Sequence, residues 1–209
     1  MRNFLGFILL ICSFSVYFCQ SKKEIKKEGL IAFNNGDFVS AKQHYLKLLE
    51  KGDKTWETYT ILGDCELQTG DENQALEYYT KAQEKNPIYS GLYLRKATIL
   101  RQQKKFDEAI LNFRKMTITN PTNPQIYNMI SSTYYEKGDY KQALSEIEQM
   151  VKLGGENLDS SYGRALSYLK LDKIKESCEE LNKADKFDTN NENKVVDLMI
   201  AQHCSNYNR

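Results

Sequence analysis

Proline is scarce in this chain, with three in 209 residues, and so are tryptophan, at one, and histidine, at two. With so little proline and 41% hydrophobic residues, a proline-rich disordered chain is excluded, and long stretches stay free to be helical. His44 and His203 stand near opposite ends, which leaves little for imidazole chemistry. No glycine-rich phosphate loop, His-Glu-x-x-His helix or Gly-x-Ser-x-Gly elbow is present. Acidic residues lie beside lysines along the chain, as in "EKNP" and "KKFDEA", which is the pattern of a solvated helical face. We therefore expect no catalytic residue, no metal ligand set, no cofactor and no enzyme activity, with His44 an exposed polar residue. Charge of one sign is also lacking. The formal net charge is +1, and the excess is Arg2. A nucleic-acid binder needs a net basic surface to displace counterions, so that class of partner is not expected.

Long apolar runs are absent too. The apolar-rich uncharged run from Phe4 to Phe18 in "MRNFLGFILLICSFSVYFCQSKKE" has 15 residues, where spanning a bilayer takes about 20. One arginine, an apolar stretch and a polar shift predict a signal peptide over 1–19. Cleavage after Cys19 leaves Gln20 first; a cut after Ser21 uses the small-x-small spacing of Cys19 and Ser21. An uncleaved anchor and a buried helix are alternatives. A further alternative is lipidation of Cys19, since the segment resembles a bacterial lipoprotein signal, although Tyr17 and Phe18 are bulkier than that pattern prefers. The body of the protein is expected outside the cytoplasm, periplasmic or secreted. A membrane partner is implied only by a lipidated Cys19 or an uncleaved signal.

What the chain has in quantity is repetition. "GDFVSAKQHYLKLLEKGD", "GDENQALEYYTKAQEKNP", "KKFDEAILNFRKMTITNP" and "GDYKQALSEIEQMVKLGG" restate one phrase at a fixed spacing of 34 residues. Gly29, Gly63, Ala97, Ser131 and Ala165 form a small column. Ala41, Ala75, Ala109, Ala143 and Ser177 form a second, and Tyr45, Tyr79, Phe113, Ile147 and Leu181 a large one. Gly36, Gly70, Lys104, Gly138 and Asp172 mark turns. A gapless period in this range is the signature of stacked helical repeats. Small residues let two helices approach closely, and the large column fills the space between them.

These columns and the closing "NP" at Pro87 and Pro121 resemble the tetratricopeptide repeat. The resemblance implies an all-α solenoid of five helix pairs over 22–55, 56–89, 90–123, 124–157 and 158–191, with a capping helix over 192–206. Departures are Glu72 after a turn, Lys104 for glycine, Gly154–Gly155 for "NP", and Ser161 where Tyr59, Tyr93 and Tyr127 stand in earlier repeats.

Arrays of this family present an inner groove lined by first helices, which here implies Thr60, Asp64, Leu94, Arg95, Arg101, Asn128 and Tyr135 as the partner-binding set. Other positions of the same columns are Lys26, Ser132, Tyr162 and Leu166. The family's clamp for acidic chaperone termini is largely missing. Its positions hold Lys26 with Leu30, Ile61, and Gly91 with Arg95, of which only Lys26 and Arg95 fit. A groove of tyrosine, leucine and small polar groups favours a protein segment, either an extended peptide or a partner helix. The expected function is a non-enzymatic scaffold binding such a segment outside the cytoplasm. The alternative is a Cys19-lipidated factor in envelope assembly or transport.

Three cysteines follow the N-terminal segment. Cys178 lies near the start of the last second helix and Cys204 near the end of the capping helix. An antiparallel arrangement with a turn near 188–191 would bring them together, and "SCEELNKA" followed by "HC" resembles the closing repeat of envelope repeat proteins. We expect either a Cys178–Cys204 disulfide or two separate buried thiols. Cys65 is expected to be a small packing residue.

Overall fold

The computed structural model describes residues 20–188 and 194–205. The expected signal segment and Cys19 lie outside the described residues, as does most of the turn expected at 188–191. The described residues form α-helices and no strand. Five antiparallel helix pairs follow one another, and an eleventh helix closes the series. No helix of the described residues is long and apolar enough to cross a membrane.

The recurring "GD" explains how each pair is joined. Gly36, Gly70 and Gly138 take φ of +78°, +94° and +90°, a left-handed conformation in which a Cβ is unfavourable. The aspartate that follows caps the next helix. Asp37, Asp71 and Asp139 accept from the backbone N–H of Ser40, Gln74 and Gln142 at 3.0, 2.9 and 3.3 Å. The third and fifth pairs lack both devices. Lys104 and Asp172 are forced to φ +59°, and the capping positions Lys105 and Lys173 make no side-chain cap bond.

The chain divides into two compact units, 1–92 and 93–209. The N-terminal unit holds α1 (Lys22–Asn34), α2 (Phe38–Glu50), α3 (Trp56–Gln68) and α4 (Glu72–Lys85). Ser21 and Glu24 form a reciprocal capping box at the start of α1. Ile25, Tyr45, Leu48 and Leu62 make a buried cluster joining α1, α2 and α3. The small and large columns are complementary shapes. A Cβ added at Gly63 would sit 2.5 Å from the Tyr79 ring, and one at Gly29 2.9 Å from the Tyr45 ring. Between α2 and α3, Lys42 Nζ lies 2.7 Å from the buried Glu66 carboxylate, which raises the lysine's pKa.

α5 (Ser90–Gln102) begins at the boundary between the units. The C-terminal unit continues with α6 (Phe106–Thr119), α7 (Pro124–Lys137), α8 (Tyr140–Lys152), α9 (Leu158–Lys170), α10 (Ile174–Phe187) and α11 (Lys194–His203). Where serine enters the small columns, its hydroxyl is used between the paired helices. Ser131 donates to the Ala143 carbonyl at 2.9 Å and Ser177 to the Ala165 carbonyl at 2.8 Å. Ion pairs also join helices: the exposed Arg114 with the buried Glu146, and Arg164 Nε with Glu180 Oε2 at 2.9 Å, largely buried on both sides.

Among the described residues the closing helix spans Lys194–His203, so it ends before the 206 expected. Cys204 therefore lies one residue beyond it, its N–H still bonded to the Ile200 carbonyl at 2.9 Å. A Cys178–Cys204 disulfide ties this end to α10 with a Cα separation of 5.6 Å, inside the range a disulfide requires. Ala165, Leu181, Ala184 and Val196 bury the bond. Cys65 is a buried free thiol.

Candidate partner-binding cleft

Two first helices of the C-terminal unit face each other across an open cleft of about 340 Å³. α7 starts with Pro124 at its first position and Asn123 as its cap, accepting from the Gln125 N–H at 3.0 Å. From this start, Asn128, Ser132, Tyr135 and Glu136 follow at i, i+4, i+7 and i+8, so they share one face. α9 is fixed by the Asn157–Ser160 capping box. It turns Asp159, Tyr162 and Leu166 to the cleft at i, i+3 and i+7. The floor is set by Gly163, where a Cβ would lie 3.1 Å from Ile147 Cδ1.

The polar groups of this cleft fall into two kinds. Ser131 and Ser167 spend their hydroxyls on the Ala143 and Gly163 carbonyls. The Asn128 amide, the Ser132 hydroxyl and the Asp159 carboxylate have no partner among the described residues. Asn128 thus offers both a donor and an acceptor, the combination that matches a peptide backbone. Tyr135 stands edge-on to Tyr140, with ring centroids 5.3 Å apart. Burial, with Tyr140 and Tyr162 beside it, pushes the Tyr135 pKa up. At the rim, Arg101 Nη2 lies 3.0 Å from Glu136 Oε1.

Of the residues expected to bind a partner, Asn128 and Tyr135 line this cleft together, and Arg101 reaches it through Glu136. Leu94 and Arg95 are half-buried on α5 and do not line it. Thr60 and Asp64 belong to the N-terminal unit. Thr60 is buried and donates to the Trp56 carbonyl at 2.7 Å; Asp64 accepts from the Tyr79 hydroxyl at 2.7 Å. Glu136 and Asp159 were not anticipated. Helix-face arithmetic signals both, because Glu136 is i+8 from Asn128 and Asp159 is i−3 from Tyr162. Among the described residues no group of His, Cys, Asp or Glu has metal-site geometry.

Helix pairs stacked in series, with small columns at the pair contact and a side-chain-lined cleft between first helices, define an α-solenoid repeat protein. The tetratricopeptide-repeat profile matches residues 26–87 and 73–124, and a profile described as anaphase-promoting complex, cyclosome, subunit 3 matches 102–184. The chain belongs to the tetratricopeptide-repeat family. The photosystem I assembly protein Ycf3 of Prochlorococcus marinus is 34% identical over 99 residues, covering 43% of this chain and 57% of that protein. The chain thus spans little more than half the length of that relative. A crystal structure of MamA superposes with a TM-score of 0.70 at 18% identity, covering 87% of this chain and 94% of that one. MamA from Desulfovibrio magneticus gives 0.71 at 15% identity, covering 82% and 97%. At such identity the likeness concerns the fold.

Proposed function

We propose that the protein is a non-enzymatic interaction scaffold outside the cytoplasm, holding an extended peptide segment or a partner helix in the α7/α9 cleft. The observation that carries this is the set of partnerless polar groups there. Neighbouring serines satisfy themselves on helix carbonyls, while Asn128, Ser132 and Asp159 stay available beside two tyrosines. The extracytoplasmic location is supported by the apolar N-terminal run and by the Cys178–Cys204 disulfide, a bond that persists in oxidising compartments. Selection of a displayed random peptide library on the full chain tests the cleft. The recovered peptides are expected to lose about ten-fold in affinity on Asn128→Ala or Tyr135→Ala. Recovery of none, or of peptides indifferent to both changes, overturns the assignment.

The second reading is a Cys19-lipidated factor in assembly or transport of envelope components. It is favoured by the apolar run that ends in Cys19, and the relative named as an assembly protein is in keeping with it. Palmitate label incorporated by the full chain and lost on Cys19→Ala supports it; a mature chain beginning at Gln20 without lipid removes it.

A further inference from the structure

We infer that the α7/α9 cleft takes a cationic side chain, lysine or arginine, from the segment it binds. This rests on the cleft being the partner site and adds the chemistry of what enters it. Among the described residues the cleft wall contains two carboxylates, Glu136 and Asp159, and no cation. Glu136 already shares an exposed contact with Arg101, a pair of the kind that contributes little and rearranges readily. Asp159 has no counter-charge among the described residues. The Tyr135 and Tyr162 rings line the same space, and aromatic faces beside a carboxylate favour a desolvated ammonium or guanidinium. Leu166 and Ile147 offer apolar surface to the methylene stem of such a side chain.

The acidity is local and not a property of the repeat. The pairs of positions that correspond to Glu136 and Asp159 at 34-residue steps read Asn34 with Glu57, Gln68 with Gly91 and Gln102 with Gln125 on one side, and Lys170 with Asn193 on the other. Only Glu136 with Asp159 is doubly acidic. An acidic segment would meet two carboxylates here, and a wholly apolar helix would bury the Asp159 charge without compensation.

The peptides recovered on the full chain provide the test. They are expected to be enriched in lysine or arginine, and replacing the basic residue by norleucine or citrulline should weaken binding about five-fold. Asp159→Asn should weaken the basic peptides to a similar degree and flatten the salt dependence of binding, while Asp159→Glu retains both. The exposed site of Asp159 keeps these variants folded, as circular dichroism will check. Peptides that depend on Asn128 but carry no required basic residue, or that ignore Asp159→Asn, overturn this inference and leave the cleft as the partner site. Enrichment of acidic peptides overturns it as well. If no peptide is recovered, the partner site and its cationic preference fall together.

Discussion

Ser177 donates its hydroxyl to the carbonyl of Ala165, 2.8 Å away on the paired helix, and both residues are fully buried. The small columns thus do more than leave room. A serine fits a site built for alanine only when its hydroxyl finds a partner across the contact, and the Ala165 carbonyl supplies one. Ser177→Ala is expected to cost about 0.5–1.5 kcal/mol, since the carbonyl keeps its own helix. Ser177→Leu should cost more, by overpacking. Urea denaturation of the two variants checks the order; a Ser177→Leu protein as stable as the parent contradicts the close contact.

At the inter-helix turns, Lys104 and Asp172 occupy the left-handed region that glycine holds at Gly36, Gly70 and Gly138. A Cβ in that conformation costs on the order of 1 kcal/mol, partly offset by the extra freedom of glycine in the unfolded chain. Lys104→Gly should therefore raise the melting temperature. Asp172→Gly should raise it less, because aspartate tolerates this region better than lysine. A decrease for Lys104→Gly would show that the lysine contributes contacts outweighing the strain.

The period of 34 residues made the fold legible because each column reports a contact that recurs. All fifteen residues of the three columns are buried, from Gly29 to Leu181. The site was less legible for a physical reason. Column arithmetic names positions on a face, but Thr60 and Asp64 occupy such positions and spend their polar atoms internally. Asn128, in the column of Thr60, does not. Whether a groove position is available depends on its neighbours in space, which a repeat alignment averages away. The capping helix ended early for a similar reason: no repeat precedent fixes its end, and the Cys204 N–H closes the last turn on Ile200.

Alkaline pH should destabilise the N-terminal unit more than the C-terminal one. Burial pushes the Cys65 thiol up to about 12, aided by Asp64 and Glu66, and burial pushes the Tyr45 phenol up to about 12. Both groups are neutral when protonated, so raised folded values mean that the unfolded chain releases protons first. Above the ordinary values of 9.0 for the thiol and 10.0 for the phenol, the unfolded state binds fewer protons and stability falls as pH rises toward about 12. Trp56, packed against Tyr89 with centroids 4.7 Å apart, reports on this unit. Tyr45→Phe should flatten the alkaline loss. At pH 7 it should be neutral or stabilising, since the buried Tyr45 hydroxyl has no hydrogen-bond partner among the described residues. An unchanged slope above pH 10 in Tyr45→Phe would remove Tyr45 as a source.

The C-terminal end should depend on its disulfide. α11 packs chiefly on α10, with one buried apolar residue, Val196, in its ten residues. A terminal element with one neighbour frays unless it is held. The bond closes a loop of 26 residues, which on the loop-entropy estimate stabilises by roughly 3–4 kcal/mol. Cys204→Ser is expected to raise amide exchange through α10 and α11, where Cys178, Leu181 and Val196 share a core. The N-terminal unit, 1–92, should exchange as in the parent. Reduction of the parent should reproduce the variant, while Cys65, buried and apart from the pair, stays a free thiol throughout. Two reactive thiols at Cys178 and Cys204 in protein purified without reductant, or equal exchange in the oxidised and reduced forms, would show that the end is held by packing and not by the bond.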